Sequence, residues 1–168
     1  PGVLDGVEPL GDGRLLVSTV EGRLFRVEPD GDVQVTETLR LRFQGSWNGI
    51  YRNLSLEHQT AQERRERLDV DLVSITDTTG APLEYEVSSQ GRWTRRFQIW
   101  VPGAQDTTRT VVIRYVVHNV IRFFREGSDF GPLDELYWNV TGNEWEIPIE
   151  VASVRIMLPE GVSPTQSA

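Results

Sequence analysis

From Val33 to Phe43 the chain alternates in character at every residue: Val33, Val35, Leu39, Leu41 and Phe43 fall on one side, Gln34, Thr36, Thr38, Arg40 and Arg42 on the other. That period of two belongs to a β-strand with one buried face, and a helix would scatter the same apolar positions around its circumference. One residue breaks the pattern, because Glu37 lands on the apolar side. An unpaired carboxylate facing a core costs on the order of several kcal/mol, so it must be protonated, bonded to backbone donors or paired with an arginine. Arg52, in "NGIYRN", is the partner this reading names, with the pair pinning a loop over 45–53 across the end of the β-layers.

The same logic extends along the chain. Gly13, Gly22 and Gly31 each follow Asp or Glu between apolar stretches, which reads as a β-meander with tight turns, "VEGR" joining "RLLVST" to "RLFRVE". Residues 5 to 31 resemble one hairpin of a propeller blade, but nothing later repeats at blade spacing, so a propeller is set aside. Further strands are expected at 68–76, 83–88, 93–101, 109–124 and 147–158. "EHQTAQERRERL" carries helix formers without an apolar stripe and reads equally as a short helix or a solvated loop, and "PLDELYW" as one helical turn. The expectation is an all-β fold: an antiparallel two-sheet β-sandwich of about eight strands with at most short helical turns. It forms a single domain over 1–161, with 1–22 either on a sheet edge or as an appended hairpin and 162–168 as a polar tail or linker.

Composition narrows the function classes. A net charge of −8 repels phosphate backbones and leaves no basic face larger than a local patch, which argues against nucleic acid as a partner. All the basic residues are Arg, a bias that carries no mechanism. Cysteine is absent, removing disulfides, thiolate nucleophiles and Cys-based zinc sites. The longest apolar run, "VVIRYVVHNVIRFF", is interrupted by Arg114, His118 and Arg122 and reads as a strand, not a membrane helix. His58 and His118 are far apart and lack metal-ligand spacing, and no G-x-S-x-G occurs around Ser46 or any other serine. No catalytic residue, cofactor or metal is therefore expected.

Two groups of residues invite sharper readings. The acids Asp129, Asp134, Glu135, Glu144 and Glu146 match no calcium loop and read as a solvated acidic segment. Trp47, Tyr51, Trp138 and Trp145 could offer faces on which sugar rings stack, or bury themselves in the core. The structural alternative is favoured: Trp138 and Trp145 flank "NVTGNE", beginning with Asn139, whose Gly142 and Asn143 suit a tight turn, and two indoles astride a hairpin close over a core as a clasp. Asn53-Leu-Ser55 and Asn139-Val-Thr141 match the N-glycosylation pattern, a triplet frequent by chance.

Four linked motifs carry a family resemblance. They are Asp30, Gly31, Val35 and Glu37 in a D-G-x-x-x-V-x-E strand; Gly45, Gly49, Ile50 and Arg52 in G-x-x-x-G-I-x-R; Trp138, Asn139, Gly142 and Trp145 in W-N-x-x-G-x-x-W; and Leu158-Pro159 closing the last strand. In order and spacing they resemble the extracytoplasmic N-terminal domain of a bacterial family of predicted membrane proteins of unknown function, over roughly residues 23 to 161. The resemblance implies a signal peptide, this β-domain outside the cytoplasm and membrane helices beyond it. It implies no activity, substrate or cofactor, and residues 1–22 depart from the family pattern. The leading expectation is a non-catalytic interaction or structural domain of a membrane-anchored protein, its partner a protein or a cell-envelope polysaccharide. The alternatives are a carbohydrate-binding sandwich and, further off, a glycosidase, which needs two facing carboxylates.

Overall fold

A computed structural model describes residues 6–10, 17–28, 30–59, 65–124, 133–136, 138 and 147–162. Its strands are β1 (Gly6–Leu10), β2 (Val17–Val27), β3 (Val33–Arg42), β4 (Gly49–Ser55), β5 (Glu57–Gln59), β6 (Arg65–Arg67), β7 (Asp69–Thr76), β8 (Tyr85–Ser89), β9 (Thr94–Trp100), β10 (Thr108–His118), β11 (Ile121–Phe124), β12 (Leu133–Leu136) and β13 (Val154–Met157). A four-stranded sheet runs β1-β4-β9-β8 and a five-stranded sheet β13-β2-β3-β10-β7, while β5-β6 and β11-β12 form separate two-stranded ladders. No helix occurs among the described residues. Every pairing is antiparallel except β13 with β2, which is parallel. The expected all-β sandwich is the architecture found.

The alternation of β3 is what puts the two large sheets together. Val33, Val35, Leu39 and Leu41 are buried, and β10 sets Val117, Tyr115 and Val111 opposite Val33, Val35 and Leu39. Across the core, Ile50 and Leu54 of β4 and Phe97 and Ile99 of β9 supply the facing layer of the same cluster. Each such aliphatic or aromatic side chain contributes about 1.5–3 kcal/mol by leaving water.

The sheets are joined by a paired ribbon. β3 passes to β4, and β9 to β10, through two segments that run side by side from one sheet to the other. Phe43 and Thr107 exchange both backbone hydrogen bonds, at 2.8 and 3.1 Å. Trp47 N–H donates to the Ala104 carbonyl, and Val101 N–H to that of Asn48, each at 2.9 Å. Asp106 caps the ribbon, its carboxylate accepting from Gly45 N–H at 2.7 Å. Gly45 needs its glycine for a φ of +88°, and Gly49 for a different reason. Gly49 lies between Leu10 of β1 and Trp100 of β9, and a Cβ there would collide with the Ile99 carbonyl and sit 2.9 Å from Trp100 Cα.

Several local expectations are corrected. Residues 49–55 are not a loop but an inner strand of the four-stranded sheet; polar Arg52 and Asn53, both buried, hide its apolar rhythm. The anticipated turn at Gly22 is a bulge inside the single strand β2, which pairs Val20 with Leu39 and Gly22 with Thr38. Its neighbour β1 pairs with β4 in the other sheet instead of closing a hairpin on β2. The 57–68 segment contributes β5 and β6, and 133–136 is a strand instead of a helical turn. The long strand expected over 109–124 breaks at Asn119, where φ is 57°, into β10 and β11. A second bulge, between Ser74 and Leu72 opposite Arg114 and Tyr115, leaves Val73 exposed. The "PDGD" turn is present, with Gly31 at φ 90° and its N–H donating to the Glu28 carbonyl at 3.0 Å.

Gly49→Ala is expected to lower unfolding free energy by about 1–3 kcal/mol, because the backbone of β9 must retreat from the added methyl; urea denaturation with an unchanged m-value checks it.

Candidate functional site

The residue that broke the alternation of β3 lies at the centre of the molecule. Glu37 is 1% exposed, and three hydrogen bonds from two arginines reach its carboxylate. Arg52, arriving from β4 in the opposite sheet, donates Nε to Oε1 at 2.9 Å and an Nη to Oε2 at 3.1 Å, a two-pronged grip that uses the planar fork of the guanidinium. Arg23, directly opposite Glu37 on β2, donates to Oε1 at 3.2 Å. Both guanidiniums are buried, and both have further interaction partners. Arg52 also donates to the carbonyl of Asn53.

Burial taken alone raises the pKa of Glu37, but the charges of Arg23 and Arg52 and their hydrogen bonds outweigh it and leave the carboxyl below its ordinary value. The group is thus a carboxylate at neutral pH, with its oxygens already occupied. A general acid needs a proton to give and a general base needs a lone pair aimed at substrate, and this arrangement supplies neither. What it does is tie β2 and β3 of one sheet to β4 of the other.

The pairing of Glu37 with Arg52 is the one foreseen from sequence; Arg23 was missed. It follows a glycine that reads as a turn, and only the bulge at Gly22 brings it into register with Glu37. A polar shell on the far face of β4 was missed too. Arg96 of β9 donates Nε to the Asn53 side-chain oxygen at 2.7 Å and lies 4.7 Å from the Tyr51 ring centroid. Asn53 is fully buried, so its glycosylation triplet is not offered to solvent.

Among the described residues the aromatic candidates do not assemble into one surface. Trp47 is buried in the ribbon, 7% exposed, with Nε1 donating to the Gln44 carbonyl at 2.8 Å. Tyr51 is half-buried beneath Arg96. Trp138 is half-buried and meets Phe25 edge to face, the ring centroids 5.5 Å apart. Asn139 and Trp145 lie outside the described residues, as do Asp129, Glu144 and Glu146. Asp134 and Glu135 are on β12, where Glu135 accepts from Arg122 at 3.3 Å.

The histidines are separate and differ in environment. His58 is buried on β5, and burial, then the Arg122 charge, lower its pKa. His118, at the end of β10, bridges two carboxylates: Nδ1 lies 2.8 Å from Asp32 of the β2–β3 turn and Nε2 lies 3.2 Å from Asp71 of β7. The hydrogen bond to Asp71, with that to Asp32 and both charges, raises its pKa against a smaller effect of burial. No group of His, Cys, Asp and Glu suited to a metal ion occurs among the described residues.

Three outcomes follow from these geometries. Glu37→Gln removes the carboxylate charge that Arg23 and Arg52 share and is expected to cost about 3–5 kcal/mol of stability in urea titrations. Glu37 also stabilises the fold fully above its unfolded value of 4.5 and progressively less as pH falls towards its folded value. His118 acts in the opposite sense: its contribution is complete below the ordinary value of 6.5 and is lost as pH rises through the raised folded value. In thermal scans His118→Gln should therefore reduce the Tm most below pH about 6.5 and converge on the unsubstituted protein at higher pH.

Comparison with known proteins places this sequence in a family. Among curated proteins none matches the chain. Among solved structures the chain is similar to native leukotriene A4 hydrolase from Saccharomyces cerevisiae, at 10% identity and a TM-score of 0.33, over 67% of this chain and 15% of that one. A likeness that weak carries no argument about fold or activity. The family described as "Predicted membrane protein (DUF2207) N-terminal domain" matches residues 24–167. That span holds Glu37 and Arg52, the two motif residues that meet across the core, and takes in most of the sequence; the chain belongs to the DUF2207 family of predicted membrane proteins, as its N-terminal domain.

Proposed function

We propose that this chain is a non-catalytic interaction or structural domain that a membrane protein holds on the extracytoplasmic side, presenting its surface to a protein or an envelope polysaccharide. The observation that carries the reading is the occupancy of Glu37: among the described residues the carboxylate most deeply set in the core is committed to Arg23 and Arg52. The polar anomaly of the sequence is thereby used for cohesion. Family membership supports attachment to a membrane protein, and no helix among the described residues is long and apolar enough to cross a bilayer. A sugar platform on Trp47, Tyr51, Trp138 and Trp145 draws less support, since Trp47 is buried with its N–H bonded internally.

The absence of cysteine from the sequence makes the placement easy to test. Thr78 lies in an exposed turn, and Thr78→Cys in the full-length protein, with any cysteines elsewhere replaced by serine, gives a single reporter. Labelling by a membrane-impermeant maleimide on intact cells is the expected result; protection until the cells are opened refutes the placement. Incubation with purified envelope polysaccharide should release no reducing ends, and release above the buffer control refutes the non-catalytic assignment.

A further inference from the structure

The acidic balance of the chain conceals one corner of opposite sign. On the β5–β6 ladder Arg67 faces Glu57 and Arg65 faces Gln59, so the period of two puts both arginines on one side and Glu66 on the other. Trp93, just before β9, lies against that corner: the Arg65 guanidinium carbon is 5.3 Å and that of Arg92 4.7 Å from its ring centroid. Arg67 Nε donates to the Arg92 carbonyl at 2.9 Å, and Arg95 donates to the carbonyl of Val70. Glu57 is the acid on this face among the described residues, and it accepts from Arg65 at 2.6 Å. Arg65, Arg67 and Arg92 stay exposed. Guanidiniums stacked on an indole keep their N–H edges turned outward, an arrangement suited to phosphate oxygens.

Position adds a second, independent point. The ribbon joins the sheets at the end where Arg42 pairs with Thr108 and Gly49 with Trp100. Thr94 and Ser55, paired at the other end of their sheet, lead directly to Trp93 and β5. On β13, which is parallel to β2, Val154 pairs with Arg23 and Met157 with Arg26, so that strand runs towards the turn at Gly31 and away from the ribbon. The arginine–tryptophan corner and the exit of the last strand thus share one end of the sandwich, the corner beside β7 and the exit at the opposite edge of the five-stranded sheet, with the turn that carries Asp30 and Asp32 also at that end. In an N-terminal domain of a membrane protein the remaining chain proceeds onward from that exit.

We infer that Arg65, Arg67 and Arg92, set around Trp93, form a contact surface for the phosphodiester headgroups of an anionic bilayer. The inference rests on the membrane-attached reading above. The net charge of −8 opposes adsorption of the domain as a whole, and Asp30, Asp32, Asp69 and Asp71 lie at this same end, so the contact is confined to the arginine corner itself. Screening confines the attraction to about 8–10 Å at physiological salt, which suits a domain tethered beside the surface.

The test is co-sedimentation of the 168-residue chain with vesicles of equal phosphatidylglycerol and phosphatidylcholine at low salt. Binding is expected, with none to phosphatidylcholine alone. Each arginine near an anionic surface is worth about a fivefold change in partitioning, so Arg67→Gln with Arg92→Gln should lower it on the order of 25-fold. Arg109→Gln with Arg114→Gln removes the same charge at exposed positions outside the corner and should leave most of the binding intact. Circular dichroism confirms folding of each variant. No binding to anionic vesicles, an equal loss in both double variants, or binding to soluble polyphosphate without binding to vesicles would each overturn the assignment. If cysteine labelling still reports an extracytoplasmic domain, a failed vesicle assay removes this inference and leaves the proposed function standing.

Discussion

Withdrawing a carboxylate and two guanidiniums from water is expensive, and the attraction among them compensates only when their geometry is held closely. Glu37, Arg23 and Arg52 meet that condition through three strands that approach from different directions. Arg23 reaches Glu37 by cross-strand pairing of β2 with β3, and Arg52 by the facing of β4 across the core. A slip of one residue in either pairing would turn a charged group to the wrong face. An apolar substitute could pack the same volume, but it would not discriminate among registers in this way. The cluster sets alignment, and the aliphatic layers around it supply most of the cohesion.

The ribbon answers the same requirement at one end of the sandwich. Gly45 and Gly49 let two chain segments cross between sheets in hydrogen-bonded contact, so β4 is delivered into its sheet at a fixed offset from β3. Arg52 follows Gly49 by three residues on that strand. The spacing within "GSWNGIYR" thus encodes a distance: from the bend that leaves one sheet to the guanidinium that reaches back towards it.

Much of this was legible in the sequence, and the exceptions have separate causes. The strand from Val33 to Phe43, the anomaly of Glu37 and its pairing with Arg52 follow from a period of two and the cost of a buried charge. β4 was hidden because its inward positions include Arg52 and because Asn53, on the other face, is also buried. Arg23 was hidden by a bulge, which shifts the phase of side chains without leaving a sign in composition. The aromatic candidates illustrate a third limit. Sequence shows that Trp47, Tyr51 and Trp138 are bulky and adjacent to turns, whereas their separation into a ribbon filler, a ring beneath Arg96 and an edge against Phe25 depends on tertiary approach. The arginines around Trp93 were likewise invisible in a chain of acidic balance, because β5, β6 and the β8–β9 turn come from separate stretches.

The parallel attachment of β13 has a mechanical side. Its pairing with β2 spans Val154 to Met157, and the Ser153 carbonyl accepts from Arg23 N–H at 2.9 Å, on the strand that carries one jaw of the buried cluster. Tension drawn along the axis of β13 loads these bonds in shear, all together, where a peeling force would break them one at a time. The load is passed at Arg23 into Glu37 and so to both sheets, which makes the last strand a tendon and the charged centre its anchorage.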